Sequence, residues 1–469
     1  MLIQDEGRDA SVASLPITFY NIIDEIHKRW DLGKNMNDWK LTRLSDVADI
    51  IGGGTPKSSE DTYFNGDISW ITPKDLSGYN YRYISKGERN ITELGLKNSS
   101  AKLLPKGSVL FTSRAPIGYV AIAKNELATN QGFKSLVLKE GHIPEFYYYL
   151  LKHNVPLLEA RSTGSTFKEI SGQVLKDTEL KIPNYEIQKN IVDILSPIDE
   201  KIELNTQTNQ TLEQIAQAIF KSWFVDFEPV KAKMQGGNLA AMEAISGKNS
   251  EELHRLQTEN PTEYQKLWAI ADAFPDEIGE DGVPVGWEVT SFGEVSECFD
   301  KRRIPLSKHH RAKRKGNIPY YGATSVMDYV DESIFDDIYL LIGEDGSVLK
   351  EDGTPFIQYI WGKSWVNNHA HVLQGKNGVS TEQLMIFMSL TNIKAYVTGA
   401  VQMKLNQANM NSIPFIKANN EINDIFNKLI MDFYKNVRNL SDENKKLISI
   451  RDLLLPKLLN GDLLNAMDN

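Results

Sequence analysis

The chain has 469 residues, 41% of them hydrophobic and 24% charged, enough apolar material for two or three cored domains and a composition that excludes wholesale disorder. Its single cysteine, Cys298, excludes an internal disulfide framework and a cysteine-clustered zinc site, and is expected to be a buried, inert thiol. A formal charge of −10 excludes a surface that is basic all over, so nucleic-acid binding would rest on local patches.

No run of about 18 apolar residues is present, and the N-terminus lacks the basic-then-apolar order of a signal peptide, so a cytoplasmic location is expected. Residues 1–38 form an N-terminal arm, either a helix or a partly ordered tail. Residues 39–183 carry short β-type runs, such as Ser108-Val-Leu-Phe-Thr and Tyr119-Val-Ala-Ile-Ala, punctuated by Gly and Pro, which predict a compact α/β domain. From 184 to 227 apolar residues recur at spacings of three and four, predicting a helix with Asn184 as N-cap. Because a proline inside a helix removes a hydrogen bond and clashes with the preceding turn, the long straight part is expected to begin at Ser196, with Pro197 at the first helical position. Phe220, Trp223, Phe224 and Phe227 follow, and either pack on the next domain or receive a partner.

Residues 228–286 read as an acidic connector. From 231 to 300 there are 14 Asp plus Glu against five Lys plus Arg, so this stretch should face solvent, with one short helix over Glu251–Ala273. Residues 287–418 predict a second α/β domain, 419–461 a second long helix capped by Asn419 and Gly461, and 462–469 a tail.

The two halves repeat each other. Trp39, Thr42 and Val47 match Trp287, Thr290 and Val295 at an offset of 248, while Thr163-Gly164 matches Thr398-Gly399 at 235, an offset that holds without gaps from Asn184, which meets Asn419, to Ile219, which meets Leu454. The first unit therefore carries 13 more residues, all between the shared Trp and the shared Gly. Each unit has a variable globular part and a constant helical part. The seam of the first helix is Ile198, Ile202, Asn205, Asn209, Leu212 and Ile219; that of the second is Phe433, Val437, Leu440, Asn444, Leu447 and Leu454. The expected fold is mixed α/β (α+β), a pseudo-two-fold repeat with two variable domains joined by two long antiparallel helices in a coiled coil. A parallel pair would force the connector to cross the molecule.

Catalytic patterns are missing. Gly52-Gly-Gly-Thr-Pro-Lys lacks the Gly-Lys-Ser/Thr ending of a P-loop and reads as a tight turn. Asn317-Ile-Pro-Tyr320-Tyr321 only approaches the Asn/Asp-Pro-Pro-aromatic run of an amino-methyltransferase. His369 and His371 would share a face of a strand, but without a third ligand no metal site is expected. Basic residues are more telling. Lys301, Arg302, Arg303, Lys308, Arg311, Lys313, Arg314 and Lys315 put eight positive charges into 15 residues with no acid, as phosphate neutralisation requires; the alternative is a solvated loop. Tyr320, Tyr321 and Trp365 with Asn367, Asn368 and His369 offer groups that can read base edges. In the first domain Lys57, Trp70, Thr72, Lys74, Arg114, Asn130 and Gln131 form a comparable, more dispersed mixture.

Gly52-Gly-Gly-Thr-Pro followed by Gly66-Asp-Ile-Ser-Trp-Ile-Thr-Pro-Lys-Asp-Leu resembles the opening of a type I restriction-modification target recognition domain, and Ile318-Pro-Tyr-Tyr-Gly-Ala with Trp365-Val-Asn-Asn-His-Ala-His resembles another type of that domain. The segment from Ile198-Asp-Glu-Lys-Ile-Glu-Leu-Asn to Ile219-Phe-Lys-Ser-Trp-Phe-Val-Asp-Phe resembles the family's central region. The resemblance implies a non-catalytic specificity subunit that binds double-stranded DNA. It also implies assembly with two modification subunits and, for cleavage, two restriction subunits. Those partners would bring S-adenosylmethionine, ATP and Mg, and this chain would bind none of them. A protein-interaction scaffold and a self-sufficient methyltransferase or nuclease are the rival readings.

Overall fold

The structure, a computed structural model, describes residues 39–164, 168–399 and 402–461; the expected N-terminal arm and C-terminal tail lie outside the described residues. Two compact units divide the chain, residues 1–206 with 442–469, and residues 207–441.

In the first unit, strands β1 (Trp39–Arg43) and β10 (Glu179–Pro183) form a two-stranded antiparallel ribbon that brings the start and end of the globular part together. Between them lie β2 (Ala48–Gly52), β3 (Phe64–Ile71), β4 (Tyr83–Ile84), β5 (Arg89–Ile91), β6 (Val109–Ser113), β7 (Ile117–Ala123), β8 (Ala128–Thr129) and β9 (Lys134–Leu138). They make a sheet of order β2-β9-β6-β7-β4 and a smaller one of order β5-β3-β8. Helices α1 (Pro144–His153) and α2 (Gly172–Lys176) complete this part, α1 burying Phe146, Tyr147 and Leu151.

The second unit repeats the plan. Its ribbon is β11 (Glu288–Ser291) with β20 (Pro414–Lys417). Inside it run β12 (Ser296–Cys298), β13 (Lys315–Tyr321), β14 (Val326–Val330), β15 (Phe335–Asp336), β16 (Tyr339–Gly343), β17 (Ile357–Ile360), β18 (Lys363–Val366) and β19 (Ala370–Gly375). The sheets are β12-β19-β16-β17 and β14-β13-β18-β15.

The pairing registers extend the repeat beyond what the two offsets reveal. β3 pairs in parallel with β8 through Ile71 and Thr129, as β13 does with β18 through Tyr321 and Val366. Both β3 and β13 carry a bulge. In each the chain needs a glycine: a Cβ on Gly66 would come within 2.7 Å of the Ile91 carbonyl oxygen, and one on Gly316 within 2.4 Å of the Val330 carbonyl oxygen. Most of the first unit's surplus lies between β3 and β5, residues 72–88, where the second unit has only the short turn 322–325.

The chain leaves each ribbon directly into a long helix. Asn184 and Asn419 cap them, accepting from the Ile187 and Ile422 amides at 3.0 and 2.9 Å. The central helix runs Tyr185–Phe220 with Pro197 inside it, which overturns the expected start at Ser196. The local cost of the proline is outweighed by packing on either side: Leu195 and Ile198 are buried, and Ser196 Oγ accepts from Arg82 Nη1 at 2.6 Å. The C-terminal helix runs Asn420–Asn460 and ends at Gly461, whose φ of 74° is the left-handed cap conformation.

Within the first unit, Ile198 and Ile202 share a core with Ile450 and Leu454, with Leu447 at its margin. Arg451 Nη1 meets Asp199 at 2.9 Å, and Asn205 Nδ2 donates to Asn444 Oδ1 at 2.9 Å, so the two helical segments run antiparallel. Within the second, Leu212, Ile219 and Phe433 flank a core containing Val437, and Leu440 is half-buried. There Asn209 Nδ2 donates to Ser441 Oγ at 3.0 Å. Buried amides of this kind fix helix register.

Two expectations are corrected in the second unit. The stretch expected to be a connector with one helix is largely helical, α3 (Glu228–Ser246), which is broken by a kink at Gly236 and Gly237, α4 (Ser250–Glu259) and α5 (Pro261–Ala273), around Met242, Leu253 and Tyr264. The expected single helix breaks at Asn260, because Pro261 starts a new one at its N1 position. The aromatic run closing the central helix, left open between two roles, is core: Phe220, Trp223, Phe224 and Phe227 pack with Phe274, Trp287 and Phe426. Ile202→Asp should therefore cost the first unit about 3–5 kcal/mol by burying an unpaired charge. An unchanged denaturant midpoint would refute that packing.

Candidate nucleic-acid interface

Trp70, Thr72, Lys74, Asn130 and Gln131 in one domain and Tyr320, Tyr321, Trp365, Asn367, Asn368 and His369 in the other lie around the C-terminal ends of the parallel pairs β3/β8 and β13/β18, whereas the run Lys301–Lys315 leads into the N-terminal end of β13. Their roles divide sharply by burial. Trp70, Tyr320 and Trp365, expected to read base edges, are 4%, 1% and 3% exposed. Each ring is anchored inward: Trp70 Nε1 donates to the Gly54 carbonyl at 3.0 Å, Trp365 Nε1 to that of Ile304 at 2.6 Å, and the Leu306 amide donates to Tyr320 Oη at 2.9 Å. These rings are core and present nothing to a base.

Asn130 and Asn367 are structural as well. Their amides donate to the carbonyls of Ile71 and Tyr321, and their side-chain oxygens accept from the Gly132 and His369 amides, each at 2.8 Å. Both asparagines thus close the same turn. The next residues, Gln131 and Asn368, are exposed. Gln131 accepts from Thr55 Oγ1. The Gly52-Gly-Gly-Thr turn reaches it because Gly53 packs against the Asn130 carbonyl, where a Cβ would lie 2.0 Å away. Thr72 forms a capping box with Asp75. Lys57 and Lys74 are exposed and pair with Glu60 and Glu88, and Arg114 lies 3.9 Å from Glu169.

The basic run is not a row of free cations. Arg303, 12% exposed, bridges Asp300 at 3.1 Å and Glu344 at 2.7 Å. Helix α6 (Lys308–Lys313) lies by β14, and Arg311 meets Asp328 at 3.2 Å while its guanidinium stacks 5.1 Å from the Tyr320 ring centre. Arg314 takes Asp331 and Glu332 and covers Trp365; Lys315 takes Asp328 at 2.6 Å. Lys315, the Tyr329 amide and Arg311 hold the Asp328 carboxyl at about 2. Arg302 donates to the Ile334 carbonyl and covers Phe335. The run has no acid in sequence, but the fold brings acids from downstream. Lys301, Lys308 and Lys313 remain, exposed and without a carboxylate partner among the described residues.

His369 and His371 do not converge. His369 is exposed and pairs with Asp345 at 2.5 Å. His371 is buried, its Nδ1 facing Asp300 at 2.6 Å and its Nε2 facing the Leu405 carbonyl at 2.8 Å. Both nitrogens face acceptors. Donor atoms of Cys298, Asp300 and His371 lie within 4.8 Å of one another, the spacing of a metal cluster. Their bonds account for them otherwise. Burial opposes the Asp300 charge, but His371, the Val372 amide and Arg303 outweigh it and hold the carboxyl below its ordinary range. Burial pushes the Cys298 thiol up to about 12, far from a thiolate ligand.

The sequence reading missed the exposed side chains of β14, Met327 and Tyr329; the shared Gly-Asp/Asn-Ile-Ser/Pro-Trp/Tyr run at 66 and 316 marks only the equivalent strands β3 and β13 beside it.

The family model described as "Type I restriction modification DNA specificity domain" matches residues 36–214 and 284–450. The chain is 32% identical over 458 residues to the type I restriction enzyme MjaIX specificity subunit of Methanocaldococcus jannaschii, covering 93% of this chain and 96% of that one. It is 31% identical over 470 residues to the HindI specificity subunit of Haemophilus influenzae, covering 91% and 100%. The crystal structure of a type I S subunit from M. genitalium aligns over 91% of this chain and 98% of its own, with a TM-score of 0.52 at 18% identity.

Arg303→Ala should destabilise the second unit by about 3–5 kcal/mol, since it leaves Asp300 and Glu344 short of their shared cation. Replacing Lys301, Lys308 and Lys313 together by Ala should leave the thermal midpoint within a degree or two. Equal midpoints for the two variants would contradict this division into structural and free cations.

Proposed function

Since this chain belongs to the type I restriction-modification DNA specificity family, we propose that it reads DNA for a type I restriction-modification complex and performs no chemistry itself. The observation that carries the reading is one framework built twice with different exposed side chains. In both globular parts a ribbon, a bulge glycine and an asparagine turn hold the same strands in place. The residues offered to solvent differ, Lys57, Lys74 and Gln131 in one and Lys301, Lys308, Lys313 and Asn368 in the other.

Two similar frames with unlike faces suit an asymmetric bipartite target, each domain reading one half and a fixed number of unread bases between. Lysines supply affinity through phosphates and carry no sequence information, whereas amide and ring groups select bases. Methylation of one adenine in each half, on opposite strands, falls to two modification subunits using S-adenosylmethionine. Cleavage falls to two restriction subunits using ATP and Mg. The burial of the Phe220 to Phe227 aromatics in the second unit's own core leaves these partners to dock elsewhere.

Long-read sequencing of DNA from a host expressing the system should report a gapped, asymmetric methylated motif that disappears when this gene is deleted. A palindromic or ungapped motif, or one that persists without the gene, would overturn the reading. In the assembled complex, the Lys301, Lys308 and Lys313 triple Ala variant should bind all sequences more weakly and flatten the salt dependence by up to about three units, roughly one per lost phosphate contact. An unchanged salt slope would exclude these lysines from the phosphate backbone.

A further inference from the structure

Strands β13 and β14 form a tight hairpin whose outer face is unusual. Met327 and Tyr329 are 53% and 52% exposed, on the edge strand of a four-stranded sheet. Strand alternation sends Asp328 and Val330 inward, to Arg311 and to the Tyr320–Trp365 core, and leaves Tyr329 outward, while Met327, the extra residue of a bulge opposite Tyr320 and Tyr321, is exposed beside it. A short edge strand showing a thioether and a phenol ring invites unwanted pairing unless something is meant to cover it.

The outer face is also organised. Met327 Sδ accepts from Asn367 Nδ2 at 3.3 Å and lies over Gly322, where a Cβ would come within 2.5 Å of the sulfur. The Asn367 that steadies it closes the turn carrying exposed Asn368 and His369. At the tip Thr324 and Ser325 are exposed. The ion pair from Arg311 to Asp328 holds the hairpin against α6, that from Lys315 to Asp328 ties its two strands, and Lys308 and Lys313 sit on the helix without a carboxylate partner among the described residues.

We propose that this hairpin enters the DNA major groove and that Met327 and Tyr329 read the C5 edge of a pyrimidine, above all the thymine methyl group. The assignment rests on the reading given under Proposed function and names the side chains that would make one half-site specific. A major groove about 12 Å wide admits a two-stranded ribbon, and the thymine methyl is its apolar landmark. The occupant follows from the DNA reading above and from charge: exposed Lys308 and Lys313 stand on α6, the helix that packs by β14, and suit a polyanion. Tyr329 pairs across the hairpin with Pro319 as Asn90 does with Ser69 in the first unit. The two domains thus present unlike groups at one equivalent position.

The test uses the full complex of this chain with its modification subunits, comparing wild type with the Met327→Ala, Tyr329→Ala double variant by long-read mapping of methylated adenines. The expected result is a motif relaxed at one or two positions of one half only, discrimination there falling roughly ten- to a hundredfold, with the other half and the gap unchanged. Replacing thymine by uracil at a relaxed position should weaken binding by the wild-type complex and not by the variant. A gapped wild-type motif that the variant methylates with the same stringency would overturn the hairpin assignment alone. So would loss of complex assembly in the variant, which would give this face to a protein partner. A wild-type complex with no gapped motif would overturn the underlying reading and the assignment with it.

Discussion

Everything in this protein hangs on the two-stranded ribbon that closes each globular part. Pairing Trp39 with Pro183 places the first and last residues of a 145-residue stretch beside one another, and Glu288 with Lys417 does the same in the second unit. The next residue or two is the asparagine cap of a long helix. Because the ribbon fixes entry and exit, what lies between can vary in length without disturbing the helix that follows. The surplus of the first unit confirms the point, since most of it sits in residues 72–88, far along the chain from either ribbon strand.

The ends of the repeat were readable from sequence because they are held by rules that act locally: a Trp opening a strand, an asparagine before an apolar helical period, a glycine after it. Pro197 was misread by the same local logic. A proline's cost is a local quantity, whereas the burial of Leu195 and Ile198 and the Arg82 bond to Ser196 are long-range gains that exceed it. The deeper repeat escaped notice because Gly66 and Gly316 stand at an offset of 250, which is neither of the two offsets, 248 and 235, that the ends of the repeat define.

The candidate site was readable in place but not in role. Counting cations between 301 and 315 marks a basic segment, yet five of the eight are tied down: four by carboxylates, and Arg302 by a ring and a carbonyl. Such pairing depends on which strand lies beside which. Aromatics beside asparagines suggested base reading, but the rings with indole or phenol groups anchored to backbone are the ones that pack. The exposed pair on β14 carries no sequence signal of its own, since a Met and a Tyr in a strand are ordinarily core.

The two units differ in how they are assembled from the chain. Residues 207–441 are contiguous, so the second unit can complete itself as soon as that stretch is made. The first is discontinuous: its Ile198 and Ile202 face waits for Ile450 and Leu454, and Asp199 waits for Arg451, all made after the whole of the second unit. On the ribosome the order of completion is therefore reversed relative to the order of synthesis. The earlier-made unit keeps an apolar helix face uncovered until residues 442–461 have followed the whole of the second unit, and a partly built intermediate of that kind exposes apolar surface to aggregation.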